Sequence, residues 1–80
     1  MGEVKEDRLL DATGLACPMP VVKAGQAMRG LSPGQVLRII ATDRGSLADI
    51  PAWAEDTGNE LLEAREAGGK FEFLVRKGDA

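Results

Sequence analysis

The sequence predicts an α/β (α+β) two-layer sandwich with element order βαβαββ, in which a four-stranded mixed sheet carries two helices on one face. Three observations predict it. Residues 35 to 42 (QVLRIIAT) form a nearly continuous apolar run rich in β-branched residues, the pattern of a central strand beside a parallel neighbour. Stretches with apolar residues at helical spacing lie on both sides of that run. Ala67-Gly68-Gly69-Lys70 separates two strand-like runs with a Gly-Gly tip, the mark of a hairpin.

Taken in order, residues 1–7 are polar and are expected to form a flexible N-terminus ahead of one domain spanning 8–78. Arg8 to Ala12 (RLLDA) is a short apolar-centred strand that ends at the turn signal Thr13-Gly14. Pro18 to Gly30 is helical: Val21, Ala24 or Gly25, and Met28 recur on one face, while Lys23, Gln26 and Arg29 point outward. Proline is tolerated in the first turn, where its missing N–H has no intrahelical partner to lose. Gly30 ends the helix, and Ser32-Pro33-Gly34 turns the chain into the central strand. Asp43-Arg44-Gly45 is a loop. Ser46 or Asp49 then caps a second helix running to about Thr57, with Ile50, Trp53 and Ala54 as its apolar stripe and Trp53 as a core anchor. Pro51 suits the first turn if Asp49 is the cap and suits it less if Ser46 is. The hairpin strands, 60–66 and 71–77, set Phe71, Phe73 and Val75 on one face.

Composition excludes several functions. Eighty residues, 44% hydrophobic and 29% charged, suit one small globular domain. The charge of −3 and the dispersal of the 10 basic residues argue against direct nucleic-acid binding. No apolar run is long enough to insert in a membrane, and the N-terminus lacks a signal-type segment, so the expected compartment is the cytoplasm. With 1 cysteine and 0 histidines, an internal disulfide, a zinc-type ligand set and a cysteine–histidine pair are all excluded. No metal or cofactor is expected, and with no spare apolar stripe the chain is expected to be a monomer.

That cysteine, Cys17, stands in "GLACPMP", at the junction between a glycine turn and the first helix. In such a topology the carboxyl ends of parallel strands and the amino ends of the following helices converge at one edge. A helix amino terminus favours an anion, so Cys17 is expected to be an exposed thiol with a lowered pKa. Gly14 permits the tight approach, and Pro18 and Pro20 stiffen the segment. The bland alternative is a buried, inert small hydrophobe. Thr42-Asp43-Arg44 leaves the second strand toward the same edge, so Arg44 is a candidate electrostatic support for a sulfur anion. Asp43 is expected to serve as a turn or helix cap. Met19, Lys23 and Arg29 are candidate partner contacts, with a solvated helix face as the alternative for the two cations.

The stretch "LDATGLACPMPVVKA" (10–24), followed in order by "SPGQVLRIIATD", "DIPAWAEDTGNELLE" and "FEFLVRKG", resembles the TusA/SirA family of small sulfur-carrier proteins, whose hallmark is Cys-Pro-X-Pro. The resemblance implies a fold similar to the C-terminal domain of translation initiation factor three. It also implies that Cys17 carries sulfur as a persulfide, a covalent load that needs no cofactor. Implied donors are cysteine desulfurases or rhodanese-like proteins, and implied acceptors are DsrE-like relay proteins, as in tRNA thiolation. Two departures stand out. Many members have Asp-Pro where this chain has Asp43-Arg44, and Gly-His where it has Gly58-Asn59. The missing second thiol fits a carrier, because a neighbouring thiol would attack a persulfide, expel hydrosulfide and leave a disulfide. The competing reading is a redox-sensing or regulatory protein-binding module in which the thiol carries no sulfur.

Overall fold

The computed structural model describes residues 5–78. Along them run β1 (Arg8–Ala12), α1 (Met19–Arg29), β2 (Val36–Ala41), α2 (Ser46–Asp56), β3 (Glu60–Ala67) and β4 (Lys70–Arg76), the order expected from the sequence. The sheet order is β1-β2-β4-β3, with β1 parallel to β2 and the other two pairings antiparallel. The apolar run therefore takes a central position, where β2 is paired on both edges.

Register decides which side of the sheet is covered. Leu37 pairs with Val75, Ile39 with Phe73 and Ala41 with Phe71, and these residues face the helices. Ala24, Ala27 and Met28 of α1 and Ile50 and Ala54 of α2 join Leu37, Ile39, Phe71, Phe73 and Val75 in one buried cluster, so both helices lie on the same face. The hairpin tip fixes this register. Gly68 and Gly69 both have positive φ (59° and 80°), as a two-residue type I′ turn requires. One extra residue between Leu61 and Glu63 then places Leu61 opposite Val75, where it packs on the core.

Three details depart from expectation. First, α2 is capped by neither Ser46 nor Asp49. Its cap position is Gly45, Ser46 is the first helical residue with a buried Oγ that has no partner among the described residues, and Pro51 lies inside the helix. The helix opens on tight bonds, with the Ser46 N–H donating to the Asp43 carbonyl at 3.0 Å and Leu47 to Arg44 at 3.1 Å. Proline costs the helix one bond, because position 51 has no N–H to offer the Leu47 carbonyl four residues earlier, and Leu47 is an exposed residue in the first turn. Second, Trp53 is half-buried and packs on the margin of the core, where an anchor within it was expected. Third, the expected flexible stretch 1–7 lies partly outside the described residues, yet Asp7 is bound to β2. Its N–H donates to the Val36 carbonyl and its carboxylate accepts the Val36 N–H, each at 2.8 Å.

Candidate functional site

Because β1 and β2 are parallel, the turns that leave them meet at one edge, and the starts of α1 and α2 lie there together. The β1–α1 connection is tied to the β2–α2 loop. The carboxylate of Asp11 accepts from Thr13 through both N–H and hydroxyl, at 3.0 and 2.7 Å, which curls the chain at the end of β1. Gly14 follows with φ +81°, a conformation that favours glycine, and its N–H donates to Thr42 Oγ1 at 2.9 Å. Two residues further along, the Met19 N–H donates to the Ala16 carbonyl at 2.8 Å, and α1 begins. The Cys17–Pro18 peptide bond is cis, Pro18 occupies the cap position, and Pro20 is buried in the first turn.

This leaves Cys17 as an exposed free thiol just ahead of the helix. The backbone N–H of Cys17 donates to Asp43 Oδ2 at 3.2 Å, and its Sγ–H donates to Asp49 Oδ2 at 2.8 Å. Gly45 fits between the three. Its φ of −60° is open to any residue, but a Cβ there would lie 2.8 Å from Asp43 Oδ2 and 3.5 Å from Cys17 Cβ. The sulfur stands at the end of an open groove between the helices, lined by Pro18, Val21, Asp49, Trp53 and Asp56 among others, with no cation in its lining.

The electrostatics reverse the expected sign. The Cys17 thiol is pushed above its ordinary value, first by the hydrogen bond to Asp49, then by partial desolvation, then by the charges of Asp49 and Asp43. The expected lowering relied on the helix terminus, which offers about half a positive charge spread over its first turn. Cys17 lies outside that turn, while a full negative charge sits within hydrogen-bond distance of its sulfur. The nearer and larger charge wins.

Arg44 gives no electrostatic support to the sulfur. It is exposed and makes no ion pair or side-chain hydrogen bond among the described residues, and the places beside Cys17 are filled by Asp43 and Asp49. Asp43 does act as a turn residue through its carbonyl, as expected, but its carboxylate is spent on the Cys17 backbone. Met19 is 39% exposed next to the site and Val22 is 42% exposed on the same helix, whereas Lys23 is exposed on α1 outside the groove lining. Arg29 lies away from the sulfur, in a second groove that it shares with Trp53, Asn59 and Lys77. Sequence reasoning missed Asp49 as a neighbour of the thiol. The available signal was its place in the first turn of α2, which the parallel β1–β2 pair brings to the Cys17 edge.

No helix among the described residues is long and apolar enough to cross a membrane, and no group of three or more metal-ligating side chains occurs among them. Comparison with known proteins supplies the rest. The family model described as "Sulfurtransferase TusA" matches residues 8–77. The "Sulfur carrier protein TusA" of Allochromatium vinosum is 54% identical over 71 residues, covering 89% of this chain and 93% of the relative. The "Putative sulfur carrier protein YrkI" of Bacillus subtilis is 45% identical over 75 residues, covering 94% of this chain and 100% of the relative. Among solved structures, the SirA-like protein of Desulfitobacterium hafniense superposes with a TM-score of 0.72 at 29% identity, over 90% of this chain and 99% of the other. A Helicobacter pylori protein solved in solution has the same TM-score at 22% identity, over 88% of this chain and 96% of the other, and shares the fold.

Proposed function

The chain belongs to the TusA family of sulfur-carrier proteins, and from that premise we propose that Cys17 is the atom-carrying residue, taking up sulfane sulfur as a persulfide and passing it to an acceptor protein. The observation that carries this reading is the placement of Cys17: an exposed sulfur at the mouth of an open groove, in a chain with no second thiol to discharge the load.

The transfer balances without an oxidant. Cys17 sulfur attacks the terminal sulfur of a donor persulfide, a new S–S bond forms, and the donor's own S–S bond breaks. The donor leaves as a thiol carrying the proton that Cys17 loses. The terminal sulfur then stands about 2 Å beyond Sγ, reaching further into solvent where an acceptor thiol can attack it. Donor and acceptor are both proteins; a cysteine desulfurase or rhodanese-like protein suits the first role and a DsrE-like relay protein the second. The carrier acts as a monomer in the cytoplasm with no cofactor, and the protein presents the sulfur without further chemistry of its own.

The test is mass spectrometry of the intact chain after incubation with a persulfide donor. A gain of one sulfur atom, absent in Cys17→Ser and reversed by reductant, is expected. A wild-type chain that gains no sulfur from any of several donor types, protein or small-molecule, overturns the reading. Partner binding that survives Cys17→Ser alongside unchanged cellular activity favours the regulatory alternative instead.

A further inference from the structure

We propose that Asp49 is a positioning residue for sulfur transfer: it holds the empty carrier as a neutral, hydrogen-bonded thiol, and that hold exists only while Cys17 is unloaded. The inference rests on the sulfur-carrier reading and deepens it.

The geometry is specific. Asp49 Oδ2 accepts the Sγ–H at 2.8 Å, and it comes from a helix 32 positions along the chain. Around that bond, the Cys17 backbone N–H donates to Asp43 Oδ2 at 3.2 Å, and Gly45, with no Cβ, leaves room for both carboxylates to approach the cysteine. The charged groups acting on the sulfur are acidic, Asp49 from α2 and Asp43 from the β2–α2 loop, while Asp56 lines the same groove together with Pro18 and Val21 from the start of α1 and its cap. A carboxylate at that distance stabilises the protonated thiol through the hydrogen bond and opposes the thiolate through its charge, and the thiol pKa is raised accordingly.

Two consequences follow for a carrier. The thiolate is the species that reacts with stray disulfides and oxidants, so an empty carrier kept protonated stays available between encounters. A donor that sets a cation against Asp49 removes the restraint at the moment of transfer. Once loaded, the inner sulfur has no proton to donate. The bond to Asp49 is then lost, its carboxylate is free for another donor, and empty and loaded carriers present different surfaces.

The experiment is alkylation of the folded full chain by iodoacetamide as a function of pH, with thiolate ultraviolet absorbance as a second readout and circular dichroism to verify folding. Asp49→Asn keeps the side-chain shape and removes the charge. It is expected to move the titration midpoint down and to raise the alkylation rate at pH 7 at least about threefold, through a larger thiolate fraction. Asp43→Asn moves the midpoint in the same direction by less, and Asp49→Glu restores part of the wild-type curve. A midpoint that is unchanged or higher in Asp49→Asn overturns the assignment of Asp49. That result leaves the carrier reading standing if the wild type still gains sulfur, whereas a wild type that gains none overturns the carrier reading whatever the alkylation curves show.

Discussion

On the open face of the sheet, charges are matched. Arg38 alternates with the core residues Leu37 and Ile39 and therefore points away from the helices, where it meets Glu72 at 2.6 Å and Glu6 at 3.3 Å. Arg65 adds Glu72 at 3.6 Å and Glu63 at 3.5 Å, so one network joins β2, β3, β4 and the segment before β1, and it covers Leu74. At the Cys17 edge the pattern is the opposite. Asp43, Asp49 and Asp56 form no ion pair among the described residues, and the partners that Asp43 and Asp49 do have are the backbone and thiol of one cysteine. The contrast separates two uses of charge. Paired charges give an uncovered sheet face a polar surface that does not invite another sheet. Unpaired carboxylates around a thiol set its protonation state and leave a local negative field for a partner to complete.

Several measurements would break or sharpen this contrast. The largest stability effect is expected on the sheet face. Glu72 serves two arginines and is only 26% exposed, so Glu72→Ala should cost roughly 1–2 kcal/mol in chemical denaturation. It should leave Cys17 alkylation unchanged; a changed thiol profile would mean the two regions are coupled. Next comes the field at the edge. Cystamine, a dicationic aliphatic disulfide, should be favoured over dithiodipropionate, a dianionic aliphatic one, more strongly by Cys17 than by the thiol of an uncharged peptide, and raising salt from about 0.01 to 1 M should shrink that ratio as screening shortens its range. A ratio indifferent to salt would show that the carboxylates act only through contact.

Smaller effects concern titration. The thiol's raised pKa implies stability that is fully present below the unfolded thiol's pKa, about 8.5, and is lost as pH rises through the higher folded value. Denaturation midpoints should therefore fall in alkaline solution for the wild type and fall less for Cys17→Ser. Asp11 shows the reverse sign. Bonds from the Thr13 hydroxyl and N–H hold its pKa down, so that contribution is present above the ordinary carboxylate range and fades as pH falls through the lowered value. Thr13→Val should bring the Asp11 titration, followed by NMR, back toward the ordinary range. Arg44→Ala should change nothing in the alkylation curve, and any shift would restore the arginine to the site.

Much of this protein was legible in its order of residues. The β-branched run at 35–42, the Gly-Gly tip and the helical spacings depend on local preferences, which act over a few residues and are written where they act. They gave all six elements, the face of Phe71, Phe73 and Val75, and the exposed cysteine at a strand-to-helix junction. Pro51 was the weak point among the elements, because a proline inside a helix runs against local preference, and α2 continues through it with Ile50 and Ala54 packed in the core. The charge environment of Cys17 was decided only by tertiary structure. Arg44 and Asp49 are both within reach of the same edge in sequence terms, and nothing local says which side chain turns toward the sulfur. A thiol's protonation answers to the nearest charges in space, and β1–β2 pairing brought a carboxylate, not a guanidinium, to 2.8 Å.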